Sequence, residues 1–264
     1  MELQMEQVKQ VSIKAGRYWE VDVFRGLAII LMVFYHLIWD LNYFGVVELN
    51  MIRGPWNWFA RGIATMFLTT MGLSLVLSYN RARDKGDAGT LFPKFFWRGA
   101  RIFGLGMLIT AATYLFLDFR GGRGFVIFGI LHIIGFSIMA AYPFLPYRRR
   151  WFSLALGLLI VAVGFYIGRL VSPSPWLIWL GVKQASRLMV DYFPVLPWFG
   201  VALLGIVLGH TLYSGGIRRF SLSDDFYLRP VRGLAFLGRH ALLIYLIHQP
   251  ILLGTLLLLG IGAL

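Results

Sequence analysis

The stretch EVDVFRGLAIILMVFYHLIWD, residues 20–40, is apolar enough to enter a bilayer, yet it carries Asp22, Arg25, His36 and Asp40. Arg25 and His36 are eleven positions apart. In a helix that spacing comes within about 20° of three full turns, so both side chains lie on one stripe, roughly 16 Å apart along the axis. Asp22 joins the stripe three residues before Arg25, and Asp40 four residues after His36. Ionisable groups inside an apolar span are expensive and face a bundle interior or a water-filled path. A histidine in that setting suits general base catalysis. A carboxylate one turn away is within reach to orient the imidazole and to stabilise its protonated form. Arginine binds phosphate bidentately, which gives Arg25 and its companion Asp22 a place in recognising a phosphate-bearing donor. Two potential metal ligands without further spacing signals do not make a metal site, and no metal is expected.

Other polar residues fall at comparable depths. At about 1.5 Å per residue, His36 lies about 22 Å from the inner start of its span, His132 roughly 20 Å and His248 about 16 Å. His248 is followed by Gln249 and Pro250. These three histidines are candidates for one polar layer, with His132, His248 and Gln249 orienting substrate or steadying an oxyanion. A lone buried histidine is more often a packing residue; three at one depth raise the functional reading. Arg98 and Arg101 form an i, i+3 pair, and with Arg25, Arg239 and His240 they suggest a cytoplasmic cationic mouth. The plainer reading of Arg98 and Arg239 is positive-inside decoration with snorkelling side chains.

The elements that must position these groups are membrane helices. Of 264 residues, 58% are hydrophobic and only 14% charged, and mean hydropathy is +0.71. A soluble domain carries about 25% charged residues. The net charge of +13 does not form one patch; the basic residues cluster between apolar runs, which argues for topology and against nucleic acid. Cysteine is absent, excluding disulfides and thiolate chemistry. Seven apolar segments are expected to span: Val21–Leu41, Phe59–Tyr79, Trp97–Leu117, Phe125–Leu145, Trp151–Leu170, Leu196–Tyr213 and Leu237–Leu259. With the N-terminus inside, sixteen Lys and Arg fall in inner segments and seven in outer ones, so the N-terminus is expected in the cytoplasm. Residues 1–19 read as a cytoplasmic N-terminal segment leading into an uncleaved anchor, and 20–264 as a single transmembrane acyltransferase-like domain. The fold class expected is an all-α integral membrane bundle of about seven helices, with further short or re-entrant ones. The loop Ser172–Pro197, with four prolines among aromatic and polar residues, reads equally as an aromatic belt or as a lid over an outward-facing cavity.

The stretch RYWEVDVFRGLAIILMVFYHLIWDLNYFG, which places histidine eleven positions after arginine on a first apolar helix, resembles the membrane acyltransferases that O-acylate surface sugars. More closely it is similar to the heparan-alpha-glucosaminide N-acetyltransferase catalytic-domain family, in its small microbial branch. Supporting stretches are TTMGLSLVLSYNRAR, RGARIFGLGMLIT, FGILHIIGFSIMAAYPFL, DYFPVLPWFGVALLGIVLG and LGRHALLIYLIHQPIL, so the resemblance runs from residue 17 to about 252. It implies transfer of an acetyl or other acyl group from cytoplasmic acyl-CoA to an acceptor reached from the other side, a carbohydrate or lipid-linked sugar hydroxyl or amine. By position, Arg25 matches the motif arginine and His36 its histidine. The lysosomal branch carries asparagine where this chain has His36, and a histidine in the following loop near Val47 and Glu48, which brings this chain nearer to sugar O-acylation. Asp40 and Glu48 both stand as candidates to assist. The plasma membrane is the expected location, and a homodimer is admitted among the partners. A transporter or proton-coupled channel using the same stripe is the alternative; the lack of a visible repeat or of paired broken helices argues mildly against it.

Overall fold

The computed structural model describes residues 17–86, 90–115, 124–146, 149–184, 191–222 and 229–261. Most of the expected N-terminal segment, residues 1–16, lies outside them. The chain is nearly all helical: α1 Trp19–Tyr43, α2 Pro55–Asp84, α3 Leu91–Thr113, α4 Ile130–Ala140, α5 Arg150–Ile167, α6 Val195–Leu212, α7 Arg229–Arg239 and α8 Ala241–Leu258. A two-residue parallel pair, β1 Val171–Ser172 and β2 Lys183–Gln184, pairs Val171 with Lys183.

Five of these helices, α1, α2, α5, α6 and α8, are long and apolar enough to cross a membrane. The other expected spans take different forms. The third is a 23-residue helix, α3, in which Arg98 and Arg101 interrupt the apolar run. The fourth contracts to the 11 residues of α4, because the stretch from Gly124 to Gly129 is not helical and a short 3₁₀ turn with Pro143 follows. The seventh divides at His240, whose φ of −102° and ψ of 16° separate α7 from α8. Three arginines make α7 amphipathic, while α8 is apolar nearly throughout.

The chain forms two compact units, Met1–Thr70 with Ser221–Leu264, and Met71–Phe220. In the first, α1 starts with Glu20 and Asp22 in its first turn, where carboxylates complement the helix dipole. It ends in a Schellman motif: Val46 N–H donates to the Leu41 carbonyl at 2.9 Å and Gly45 N–H to Asn42 at 3.2 Å. Gly45 adopts φ 75°, which a side chain would strain. Glycines let α1 and α7 touch backbone to backbone: a methyl on Gly26 would collide with the Leu234 carbonyl, and one on Gly238 with that of Asp22. Ile29, Met32, Ile63 and Ala241 form the apolar core joining α1, the start of α2 and α8, with Tyr35, Phe59 and Tyr245 packed against it.

In the second unit, Gly99 and Gly135 bring α3 and α4 together; an added Cβ on either would lie within 2.8 Å of the other's carbonyl oxygen. Helices α5 and α6 pack along their length through Gly157 and Gly200. The start of α4 is held by Asp191, whose Oδ2 accepts from the Ile130 N–H at 3.2 Å. In the proline-rich loop, a 3₁₀ turn over Pro175–Leu180 exposes Trp176 and buries Ile178, whose carbonyl accepts from Tyr192 O–H at 2.6 Å. Burial raises the Tyr192 phenol above its ordinary range. Residues 185–190 of this loop lie outside the described set.

Candidate active site on the first helix

At the N-terminal end of α1 one carboxylate organises two arginines. Asp22 is buried, and its Oδ2 accepts from Arg17 Nε at 2.6 Å. Its Oδ1 accepts from Arg17 Nη2 and from Arg25 Nη1, both at 3.0 Å. Arg25 Nη1 also reaches the Gly238 carbonyl of α7 at 3.3 Å. A guanidinium held bidentately by a carboxylate is fixed in plane and orientation, which prepares it to meet a second anion. Arg17 precedes the helix, so no helical periodicity marked it; only the fold places it on Asp22.

Three turns further along α1, His36 is half-buried. Its Nδ1–H donates to the Met32 carbonyl at 2.9 Å. That bond fixes the tautomer and leaves Nε2 with a lone pair. The ring meets His248 of α8 edge to face, centroids 4.7 Å apart and planes at 74°. His248 donates its own Nδ1–H to the Tyr245 carbonyl at 2.6 Å. Tyr35 and Tyr245 flank the two imidazoles, with centroids 5.7 Å from His36 and 5.6 Å from His248. Phe34, Pro55, Trp56 and Phe59 line an open apolar cleft on this unit.

Asp40 is 3% exposed, yet no hydrogen bond joins it to His36 despite the i, i+4 spacing. Its Oδ1 accepts instead from Gln249 Nε2 of α8 at 2.8 Å. The imidazole has already used Nδ1 on its own helix, four residues back, and the carboxylate turns to the neighbouring helix. His36, His248, Asp40 and Gln249 thus form two cross-helix pairs between α1 and α8. Of the three histidines expected at one depth, the structure brings the rings of His36 and His248 into contact.

The remaining candidates belong to the second unit and have their own surroundings. His132 is buried in α4, with Nδ1 accepting from the Gly129 N–H at 3.1 Å and Nε2 lying 3.4 Å from Thr110 Oγ1. Phe103 and Phe128 enclose its ring, centroids 5.2 and 5.3 Å away. Nδ1 is therefore engaged in closing the start of α4, while Nε2 faces Thr110 of α3. Arg98 is exposed beside Ser78 and Lys94, and Arg101 is also exposed. No hydrogen bond or ion pair holds either guanidinium among the described residues. Among those residues no group of three or more His, Cys, Asp or Glu could hold a metal ion.

The model of the heparan-alpha-glucosaminide N-acetyltransferase catalytic family matches residues 17–250. The chain belongs to this family. The match begins at the arginine that grips Asp22 and ends beside Gln249, so both polar ends of α1 and their partners on α7 and α8 lie inside it. Family membership and the five apolar helices together make the chain a membrane acetyltransferase in general class. Neither the curated proteins nor the solved structures contain a match to it.

Proposed function

We propose that this chain moves an acetyl group from acetyl-CoA, taken from the cytoplasmic side, to a sugar hydroxyl or amine presented at the opposite face of the plasma membrane. The observation that carries the reading is the state of His36: Nδ1–H is held by the Met32 carbonyl, leaving Nε2 as a base on the same helix as the Asp22–Arg25 cluster. The family's use of acetyl-CoA as donor supports the choice of substrate.

In this reading His36 Nε2 takes the proton from the acceptor O–H or N–H as that atom bonds to the acetyl carbon. The carbon–sulfur bond breaks, and the proton passes to the departing CoA thiolate. The Met32 carbonyl stabilises the transient imidazolium through Nδ1–H, as an orienting acceptor does for a catalytic histidine. Arg25, with Arg17 held beside it on Asp22, meets the donor phosphates; the separation of roughly 16 Å along α1 matches an extended carrier arm between phosphates and thioester. On the second unit, the charge and exposure of Arg98 and Arg101 suit phosphate binding in their own right.

The excess of basic residues in the inner segments supports a cytoplasmic N-terminus, with α3 and α4 completing seven membrane elements. The test is direct: purified protein incubated with acetyl-CoA and a sugar acceptor should release CoA and form an acetylated sugar in equal amounts. Flux of solute across a vesicle without acetyl transfer would replace this reading with transport.

A further inference from the structure

Two acceptor oxygens beside the His36–His248 pair have no donor among the described residues. Asp40 Oδ2 and Gln249 Oε1 are both buried and, among the described residues, without a hydrogen-bond partner. With Asp40 ionised, the Gln249 amide turns Nε2 to Asp40 Oδ1, at 2.8 Å, because its oxygen would oppose the carboxylate. The two orphan oxygens come from side chains on different helices. Asp40 lies one turn beyond His36, and Gln249 adjoins His248. Buried polar groups in native proteins are almost always paired, so an unpaired set beside a candidate base points to a ligand that supplies the donors.

Which substrate that is follows from chemistry. The thioester end of an acyl-CoA presents a carbonyl oxygen and a sulfur, and calls for donors. A hydroxylated acceptor presents O–H groups, and calls for acceptors. Resting on the acetyltransferase reading above, we propose that Asp40 Oδ2 and Gln249 Oε1 receive hydroxyl or amine donors of the acceptor and thereby set which of its groups faces His36. Asp40 and Gln249 are then specificity-determining residues of the acceptor site. The Asp40–Gln249 bond keeps the two oxygens at a fixed spacing, which favours an acceptor with neighbouring donors over one with a single hydroxyl.

The experiment pairs deletion of a donor on the substrate with deletion of an acceptor on the protein. Wild-type protein, Asp40→Asn and Gln249→Met are assayed for acetyl transfer from acetyl-CoA to methyl glucoside and to each of its monodeoxy derivatives. In wild type, at least one deoxy derivative should lose about tenfold in kcat/KM, the effect of one unmet buried hydrogen bond. In the variants that penalty should vanish, with the KM for acetyl-CoA unchanged. An equal penalty in wild type and variants overturns the proposal, because a purely structural pair, or one bridged only by water, lowers all rates together. If Asp40→Asn does not fold, Gln249→Met carries the same comparison. Wild-type protein that releases no CoA with any sugar overturns the acetyltransferase reading instead. The acceptor site is then read from melting temperature: methyl glucoside should raise that of wild type and not of Gln249→Met, and an equal response overturns the site too.

Discussion

In the second unit, His132 accepts a backbone N–H at Nδ1 and sets Nε2 beside Thr110 Oγ1, between two phenylalanine rings. In the first, His36 donates Nδ1–H to a carbonyl of its own helix and meets the edge or face of His248. The two residues have the same chemistry and sit in similarly apolar helices. What separates them is the backbone group each one finds. At the N-terminus of a helix the unsatisfied groups are N–H donors, so His132 becomes an acceptor at Nδ1 and its proton is driven to Nε2. Within a helix the only backbone group in reach is a carbonyl, so His36 becomes a donor at Nδ1 and keeps the lone pair on Nε2. Position along the helix selects the tautomer, and the proposed base role of His36 rests on the tautomer that leaves Nε2 bare.

This contrast can be broken experimentally. His36→Ala should cut acetyl transfer by about 10²–10⁴-fold, the usual contribution of a general base, while the melting temperature stays near that of wild type. Near-normal turnover would show that the free Nε2 is not the base. Arg25→Ala should raise the KM for acetyl-CoA by about tenfold with a smaller change in kcat, since one charge-assisted phosphate contact is lost; an unchanged KM removes Arg25 from the donor site. His132→Ala should do the opposite of His36→Ala, lowering stability by about 1–3 kcal/mol through the lost cap and buried partner. Its turnover per folded molecule should hold within about twofold, and a specific loss of activity without destabilisation would place His132 in the chemistry after all. Gly238→Ala should cost about 1–3 kcal/mol, because the new methyl meets the Asp22 carbonyl and forces α7 away from α1. It should also weaken the Arg25 contact with the Gly238 carbonyl, which a modest rise in acetyl-CoA KM would report.

Much of the helical layout is legible in the sequence, since long apolar runs leave few alternatives once the backbone must satisfy its own hydrogen bonds. The shortfalls occur where polar or special residues interrupt those runs. Arg98 and Arg101 keep α3 below the hydropathy of its neighbours, Gly124 and Pro143 bound a short α4, and His240 divides what reads as one final span. The candidate site is legible by halves. The i, i+3 spacing of Asp22 and Arg25 leads to a 3.0 Å ion pair, whereas the i, i+4 spacing of His36 and Asp40 leads to none. Helical spacing says which side chains share a face, and it does not say which partner each prefers when another helix offers one.

The sequence by itself determined that the chain enters a membrane as helices and that Asp22, Arg25, His36 and Asp40 lie along one of them, because periodicity and apolar length are local properties. Only the tertiary structure decided that His36 meets His248, that Asp40 takes Gln249 across 209 positions, and that Arg25 reaches Gly238 across 213. Those pairings depend on how closely α1 approaches α7 and α8. That approach is set by the bare backbones of Gly26 and Gly238 and by the core of Ile29, Met32 and Ala241, and no spacing along a single helix encodes it.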